Sequence, residues 1–353
     1  MYYTGIDQHK LFSYLTTVDS DGKVVKEEKL INNNFEIVNY FNSHGKEHMA
    51  TVETTGGWYW MNDLLSSLNI PLKLAHAKYL KAISYAKVKT DKVDSNILAQ
   101  LLRLDFIPEA YKIPDDIRTL RDTLRARLRL SVKRTSCLNF MHRMLEKFNI
   151  SDPLLLNNFY RLQYQQFEIQ SKLLKEQMLT LEKSLYPSLI PNEDIQRLLW
   201  IPGIGKMNAF TILLEVGDIN RFETEKNFFS YCRLVPSARN SAGKTKQRSS
   251  KDGNRYLKIV FSDAAVHALQ YYPVIKRYHS SKLRKKKKQV AKAIISKEIA
   301  RFVYHVLKDK SNFNNHFKGK ELEHKKSIQW PRIIPPKAGL EWEVMRLPKI
   351  YLG

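Results

Sequence analysis

Hydrophobic residues along the chain recur first at every second position and then at every third or fourth, and that change of period divides the sequence. Residues 1–33 alternate in three runs, MYYTGIDQH, LFSYLTTVD and KVVKEEKLI, and the Ser20-Asp21-Gly22 turn between the last two reads as a hairpin. Asn34 is placed to cap a helix running to His44, with Phe35, Val38 and Phe41 facing inward. MATVET at 49–54 reads as a further strand, GWYWMNDLLSSLN as a helix opened by Gly56-Gly57, and IPLKLAHA as another strand. A helix follows over 91–104, with Ile97, Leu98, Leu101 and Leu102 on its buried side. Three strands, then helix, strand, helix, strand and helix, is the order of an RNase H-like α/β domain, expected to occupy residues 1–105.

Beyond it the pattern turns helical, so the expected fold class is α/β followed by α. Tyr160, Tyr164, Phe167, Leu174, Met178, Leu181 and Leu185 follow a heptad-like spacing broken once, at Ser171. Over 106–190 this predicts a long helical hairpin or coiled coil, or alternatively an amphipathic helix packed on its own domain. Pro187 and Pro191 mark the next boundary. Residues 191–310 are expected to form a mostly helical unit with a polar loop at 236–254. Residues 311–353, with Trp330, Pro331, Pro335 and Pro336, are expected to form an extended arm.

Composition narrows the partners. The 353 residues include 59 Lys and Arg against 35 Asp and Glu, a net charge of +24, which points to a polyanion such as nucleic acid. No run of about 18 apolar residues offers a membrane span, and the N-terminal MYYTGIDQHK lacks the basic start and apolar core of a signal peptide. Cys137 and Cys232 are too few for a disulfide framework or a cysteine-rich zinc site, so a cytoplasmic protein is expected. The charge is concentrated. Residues 276–310 hold 13 basic and two acidic side chains, centred on the run Arg284, Lys285, Lys286, Lys287, Lys288. Residues 118–147 hold nine basic side chains, among them Arg121, Arg125, Arg127, Arg129 and Arg134, interleaved with Leu120, Leu124, Leu128 and Val132 at helical spacing. Such runs are either solvated helix faces or phosphate-binding surfaces.

The acidic minority carries the candidate chemistry. Asp7 ends the first strand in T-G-I-D and Glu53 the fourth in A-T-V-E, while Asp91 and Asp94, at i and i+3, share one helix face. In an RNase H-like sheet those two strands and the last helix converge. Four carboxylates there would repel unless divalent cations neutralised them, and oxygen-only ligands suit Mg²⁺ or Mn²⁺. Two such ions about 3.5–4 Å apart would clamp the attacking and leaving oxygens of a phosphodiester. Singly, each acid has a structural explanation: Asp91 could be an N-cap after Lys89-Thr90, and Asp7 could begin a turn. Further along, I-P-G-I-G-K at 201–206 leads into an apolar helix through Gly203, Gly205 and Lys206. It reads either as a tight helix–helix connection or as a helix-hairpin-helix-like phosphate site.

The strings G-I-D-Q-H-K, E-T-T-G-G-W and K-V-K-T-D-K-V-D-S-N-I-L-A-Q-L-L-R, the last followed by P-E-A-Y, resemble the DEDD-type insertion-sequence transposases, the insertion sequence 110 family of bridge-RNA-guided recombinases. The resemblance runs over residues 1–310 and implies that Asp7, Glu53, Asp91 and Asp94 are the metal-binding tetrad of a RuvC-like domain, served by Mg²⁺ or Mn²⁺. The family often has a small hydrophobe after the first Asp and Ala after the last, where this chain carries Gln8 and Ser95. Among Ser237, Ser241, Ser249 and Ser250, the resemblance singles out Ser241, in N-S-A-G ahead of Gly253-Asn254, as the nucleophile.

Attack by that serine implies a protein–DNA phosphoserine whose retained bond energy allows strands to be rejoined without ATP. A noncoding bridge RNA from the element would pair with donor and target DNA and so select sequence. Arg121, Arg125, Arg129, Gly203, Gly205, Lys206, Lys244, Lys285, Lys286 and Lys287 are the expected nucleic-acid contacts. A homo-oligomer, a tetramer built as a dimer of dimers in a prokaryotic cytoplasm beside the nucleoid, completes the expectation. Two alternatives compete with it. One is a RuvC-like endonuclease of the junction-resolvase type that uses water. The other is a nucleic-acid-binding protein with a decayed site, disfavoured because the four acids and the loop serine are all present.

Overall fold

Five strands form one mixed sheet in the first of two units into which the chain divides, residues 1–113 and 114–353. The computed structural model describes residues 1–43, 47–54, 56–83, 90–241, 244–249 and 252–313, and over 237–249 the backbone alone. β1 (Tyr2–Gln8), β2 (Phe12–Val18) and β3 (Val24–Ile31) make an antiparallel meander. After α1 (Asn34–Asn42), β4 (His48–Glu53) pairs in parallel with β1; after α2 (Trp58–Ser67), β5 (Leu72–Ala75) pairs in parallel with β4. The sheet order is β3-β2-β1-β4-β5; α4 (Asp91–Arg103) completes the element order read from the sequence, and the short α3 (Ala77–Ile83) is a helix that order did not include.

The two faces of the sheet take alternate residues. Ile6, Leu15, Ala50 and Val52 pack with Ile37, Tyr40 and Phe41 of α1 and with Met61 and Leu65 of α2. Residues of the other parity, Tyr3 and Met49, pack with Leu98 and Leu102 of α4. One detail of α1 differs from expectation. The cap is Asn33, whose side chain accepts from the Glu36 amide at 2.8 Å, so the helix is rotated: Ile37, Tyr40 and Phe41 are buried and Phe35 is exposed. The unit also continues past residue 105. The Ala110 amide donates to the Leu74 carbonyl at 2.7 Å, and Ile107 and Ile113 are buried.

In the second unit, α5 (Asp115–Lys147) and α6 (Asn158–Leu185) form an antiparallel hairpin. The contacts fix its register: Lys147 reaches Tyr160, Phe140 stacks on Phe167 with centroids 4.1 Å apart, Cys137 meets Gln170, and Arg127 pairs with Glu182 at 2.7 Å. Ser171 is buried, so the heptad stripe runs through it as a small residue in register and not as a break. Following them are α7 (Glu193–Leu199), α8 (Lys206–Val216), α9 (Glu225–Tyr231), β6 (Pro236–Ser241), β7 (Lys244–Ser249), α10 (Arg255–Tyr271), α11 (Pro273–Leu283) and α12 (Lys288–Lys308). Ile212, Phe228, Phe261 and Val303 anchor their core.

The stretch read as a polar loop holds a two-stranded hairpin, paired from Pro236↔Ser249 to Ser241↔Lys244. With no run of apolar residues on either strand, the hairpin leaves no hydrophobic alternation to read. Cys137 and Cys232 are both free and buried. Among the described residues no helix is long and apolar enough to cross a membrane. Residues 314–353 of the expected arm lie outside the described residues.

One buried charge pair joins three helices of this unit. The Arg125 guanidinium of α5 meets Glu215 of α8 in a two-point pair, with Nη2 to Oε2 at 2.8 Å, and Glu215 is 1 % exposed. Asn254, the cap of α10, donates its amide to the same Oε2 at 2.7 Å. Its side-chain oxygen accepts from the Tyr256 and Leu257 amides at 2.9 and 3.0 Å. Removing the acid takes the closest partner from a largely buried cation and leaves it Asp122 at 3.6 Å, so Glu215→Ala is expected to lower urea-unfolding stability by on the order of 3 kcal/mol. Glu215→Leu combined with Arg125→Met should recover much of that loss. A single variant as stable as the parent would contradict this account of the pair.

Candidate active site

The site begins with a glycine. A Cβ on Gly5 would collide with the Ser95 carbonyl oxygen and the Ala99 amide nitrogen, both backbone atoms of α4. The helix therefore lies directly on β1, and its first turn is brought alongside the end of that strand. Ser95, fully buried, pins it there by a 2.7 Å hydrogen bond between its hydroxyl and that of Thr16 on β2.

Asp7 shares the parity of Gly5 and so faces the same side of the sheet as α4. Ile6 is paired with Val52 across the parallel strands, which makes Glu53 the register neighbour of Asp7 on the same face. Asp91 opens α4, but the cap is Thr90, whose hydroxyl accepts from the Val93 amide at 3.2 Å. Asp91 is thus not consumed as an N-cap. Asp94 lies one turn on. The acids gather outside the carboxyl ends of two parallel strands, the usual place for a ligand in an open α/β sheet.

The residues that depart from the family's usual pattern both make fixing contacts. Ser95 holds α4 to the sheet, and Gln8 Nε2 donates to the Gly57 carbonyl at 3.2 Å, restraining the segment that follows Glu53. Lys92, between the two aspartates in sequence, is drawn away from them: its ammonium meets Glu27 at 2.6 Å, and Tyr14 also donates to Glu27 at 3.0 Å.

A residue that the sequence reading passed over completes the cluster. His9 Nε2 stands 3.3 Å from Asp7 Oδ2 and 3.3 Å from Asp91 Oδ1. The three side chains offer ligand atoms all within 4.8 Å of one another, an arrangement that fits a divalent cation. The signal was the D-x-H spacing at the end of a strand, which places both side chains on one face. Burial pushes the Asp7 carboxyl above the ordinary carboxylate value; His9 opposes that shift, and the charges of Asp91 and Asp94 add to it.

The second unit presents the other sequence candidates. Ser241 is the last residue of β6 and Lys244 the first of β7, paired across the hairpin, with their side chains outside the described set. The neck of the hairpin is built closely. Gly253 takes φ +94, a Cβ there would strike the Tyr231 carbonyl, and its own carbonyl accepts from Arg233 Nε at 2.6 Å. Gly203, at φ +84, packs against the Ala264 carbonyl of α10 in a way that only glycine permits. Gly205 and Lys206 open α8 onto a cleft of about 560 Å³ that Arg127, His267 and Tyr271 also line.

The arginines of α5 make contacts within their own unit. Arg125 is committed to Glu215; Arg129 donates to the Tyr256 hydroxyl at 2.6 Å; Arg121 is largely buried, 4.0 Å from Asp122. Arg125 and Arg129 hold α5 to its own unit, because their guanidiniums find acceptors on α8 and α10. Lys285, Lys286 and Lys287 are exposed in the turn between α11 and α12.

Two family models match the chain. A transposase model of the DEDD type for the IS110 group matches residues 4–150, and the Transposase IS116/IS110/IS902 family model matches residues 195–280. The chain belongs to the IS110 family of transposases. A DEDD domain implies an RNase H-like fold and the use of divalent metal, in keeping with the sheet order and with the acids gathered at its edge. Among curated relatives, the chain is similar to the transposase for insertion sequence element IS1328 of Yersinia enterocolitica, 24% identical over 62% of this chain and 70% of the relative. It is also similar to the transposase for insertion sequence element IS1111A of Coxiella burnetii, 24% identical over 76% of this chain and 78% of the relative.

The raised Asp7 value has a consequence for stability. A carboxyl whose value is raised in the folded state binds its proton more tightly there than in the unfolded chain, so ionisation opposes folding. The penalty is absent below the unfolded value near 3.8, grows as pH rises through the folded value, and is complete above it. In metal-free transposase, Asp7→Asn should therefore raise the melting temperature at neutral pH and lose that advantage as pH falls below 3.8. Added Mg²⁺ should raise the melting temperature of the parent more than that of the variant. A variant less stable than the parent at neutral pH in EDTA would contradict the stated cause.

Proposed function

We propose that this transposase cuts and rejoins DNA through a covalent phosphoserine on Ser241, with Asp7, Glu53, Asp91 and Asp94 as its metal-binding carboxylates and a noncoding bridge RNA selecting donor and target. The observation that carries the reading is the meeting of Asp7 and Asp91 at the end of β1, with Asp94 near enough to act on the Asp7 carboxyl and Glu53 beside it in register. A divalent cation held there, Mg²⁺ or Mn²⁺, supplies charge neutralisation and polarises the scissile phosphate.

The remaining chemistry belongs to side chains. Ser241 gives up its proton and its Oγ forms a bond to phosphorus, while the bond from phosphorus to one deoxyribose oxygen breaks and that oxygen leaves as a free hydroxyl. The phosphodiester energy stays in the serine link, so a second DNA hydroxyl can reverse the step and join a new strand. Cations on the hairpin, Arg239, Lys244, Lys246 and Arg248, are near in sequence to the developing negative charge.

Nucleic-acid backbone contacts are best supported at the exposed Lys285, Lys286 and Lys287, and at Gly203, Gly205 and Lys206, where the first turn of α8 faces the cleft with Gly205 open to solvent. A homo-oligomer, proposed as a dimer of dimers, is supported by an apolar stripe on α6 that is exposed among the described residues. Phe159, Leu162, Ile169 and Leu173 are exposed there on spacing distinct from the buried seam against α5.

Protein, Mg²⁺, bridge RNA and substrate DNA, incubated and then denatured, should yield DNA covalently attached to protein. Ser241→Ala should abolish both adduct and strand exchange, and Asp7→Ala should abolish cleavage while leaving DNA binding in place. An adduct that survives Ser241→Ala would overturn the serine assignment. Cleavage without any adduct, unaffected by Ser241→Ala, would establish the water-using nuclease instead.

A further inference from the structure

We propose that His9 is a protein ligand of the metal centre, binding through Nε2 the cation held between Asp7 and Asp91, and that it gives this position a preference for Mn²⁺ over Mg²⁺. The proposal rests on the metal-centre reading above and adds to it a nitrogen donor outside the carboxylate tetrad.

Three observations carry it. The first is spacing. Donor atoms on neighbouring positions of an octahedral ion with bonds of about 2.1 Å lie about 3.0 Å apart. His9 Nε2 lies 3.3 Å from an oxygen of each aspartate, close to that separation in both directions at once. A simple ion pair accounts for the placement less well. Charge-assisted N–H···O bonds close to about 2.7–2.9 Å, shorter than either contact of His9.

The second observation is that the ring is held in place. The His9 amide donates to the Phe12 carbonyl at 2.9 Å, its carbonyl accepts from Asn32 Nδ2 at 2.8 Å, and its ring lies against Phe12 with centroids 4.6 Å apart. The imidazole thus sits on a closed turn between β1 and β2 and is aimed before any ion arrives, which is what a ligand needs. The third is chemical. His9 is the one nitrogen donor in a set otherwise made of carboxylates, and imidazole favours transition metals over Mg²⁺, whereas carboxylates accept both. The neutral tautomer with its lone pair on Nε2 can complete the Asp7–Asp91 pair.

The test is spectroscopic and calorimetric, and needs no turnover. Electron spin-echo envelope modulation of the full-length protein loaded with Mn²⁺ at neutral pH should show coupling to an imidazole nitrogen. That coupling should vanish in His9→Gln. By titration calorimetry His9→Gln should lose roughly ten-fold or more in Mn²⁺ affinity, the scale on which even residues outside the ligand set act, with a smaller loss for Mg²⁺. His9→Asp, which restores an oxygen donor, should bind Mg²⁺ and Mn²⁺ with no nitrogen coupling and with the Mn²⁺ preference reduced. Circular dichroism confirms that the variants are folded. Mn²⁺ that binds without nitrogen coupling in the parent, or binds as tightly in His9→Gln, would overturn the role of His9 and leave the carboxylate centre standing. A parent that binds no divalent cation at all would overturn both.

Discussion

A helix whose backbone rests directly on a strand backbone is the constraint on which the first unit depends, and Gly5 is the residue that permits it. With any side chain at that position, α4 would have to lift by the width of a methyl group, and everything fixed to its first turn would lift with it. At its true distance, Ser95 reaches Thr16, Leu98 and Leu102 close over Tyr3 and Met49, and Asp91 and Asp94 stand beside the end of β1. The parallel pairing of β4 then brings Glu53 level with Asp7. Packing, sheet register and helix capping together place the four acids, and none of them involves the acids' own charges.

Charge enters as a cost. Burial raises the Asp7 carboxyl above its ordinary value, and the neighbouring charges of Asp91 and Asp94 add to that against the opposing effect of His9. Lys92, which could have neutralised the acids, is held on Glu27 instead. The site is thereby left with a negative charge for a cation to balance. The second unit shows the opposite arrangement. There the Arg125–Glu215 pair is closed on itself and extended to Asn254, so that opposite charges are spent on joining α5, α8 and the start of α10 just beyond the neck of the Ser241 hairpin. The net +24 is expressed elsewhere, in side chains such as Lys285, Lys286 and Lys287 that face solvent.

The legible part of this molecule was the part with a period. Alternation gave β1 to β5 in order, the heptad seam gave α6, and the element order together with T-G-I-D and the i, i+3 aspartates located the acids. What escaped depended on single contacts without periodicity. Asn33 and not Asn34 caps α1, which turned Phe35 outward. Ser171 counted as a break although a small buried residue keeps the register. The hairpin of β6 and β7 is polar throughout and therefore looked like a loop. Arg125 and Arg129 belong to a basic run in sequence, and because their partners Glu215 and Tyr256 lie about a hundred residues away, no local pattern announces those contacts. His9 was in plain view beside Asp7, but its meaning depends on Asp91, which arrives only when α4 folds onto the sheet.

The most direct measurement of the central claim, that close packing at Gly5 assembles the metal site, is Mn²⁺ binding by titration calorimetry to Gly5→Ala in full-length protein whose circular dichroism shows both units folded. The account predicts that metal binding is weakened at least ten-fold, although no ligand has been altered, because displacing α4 separates Asp91 and Asp94 from Asp7; second-sphere changes act on roughly the same 10–100-fold scale. Binding as tight as in the parent would contradict it.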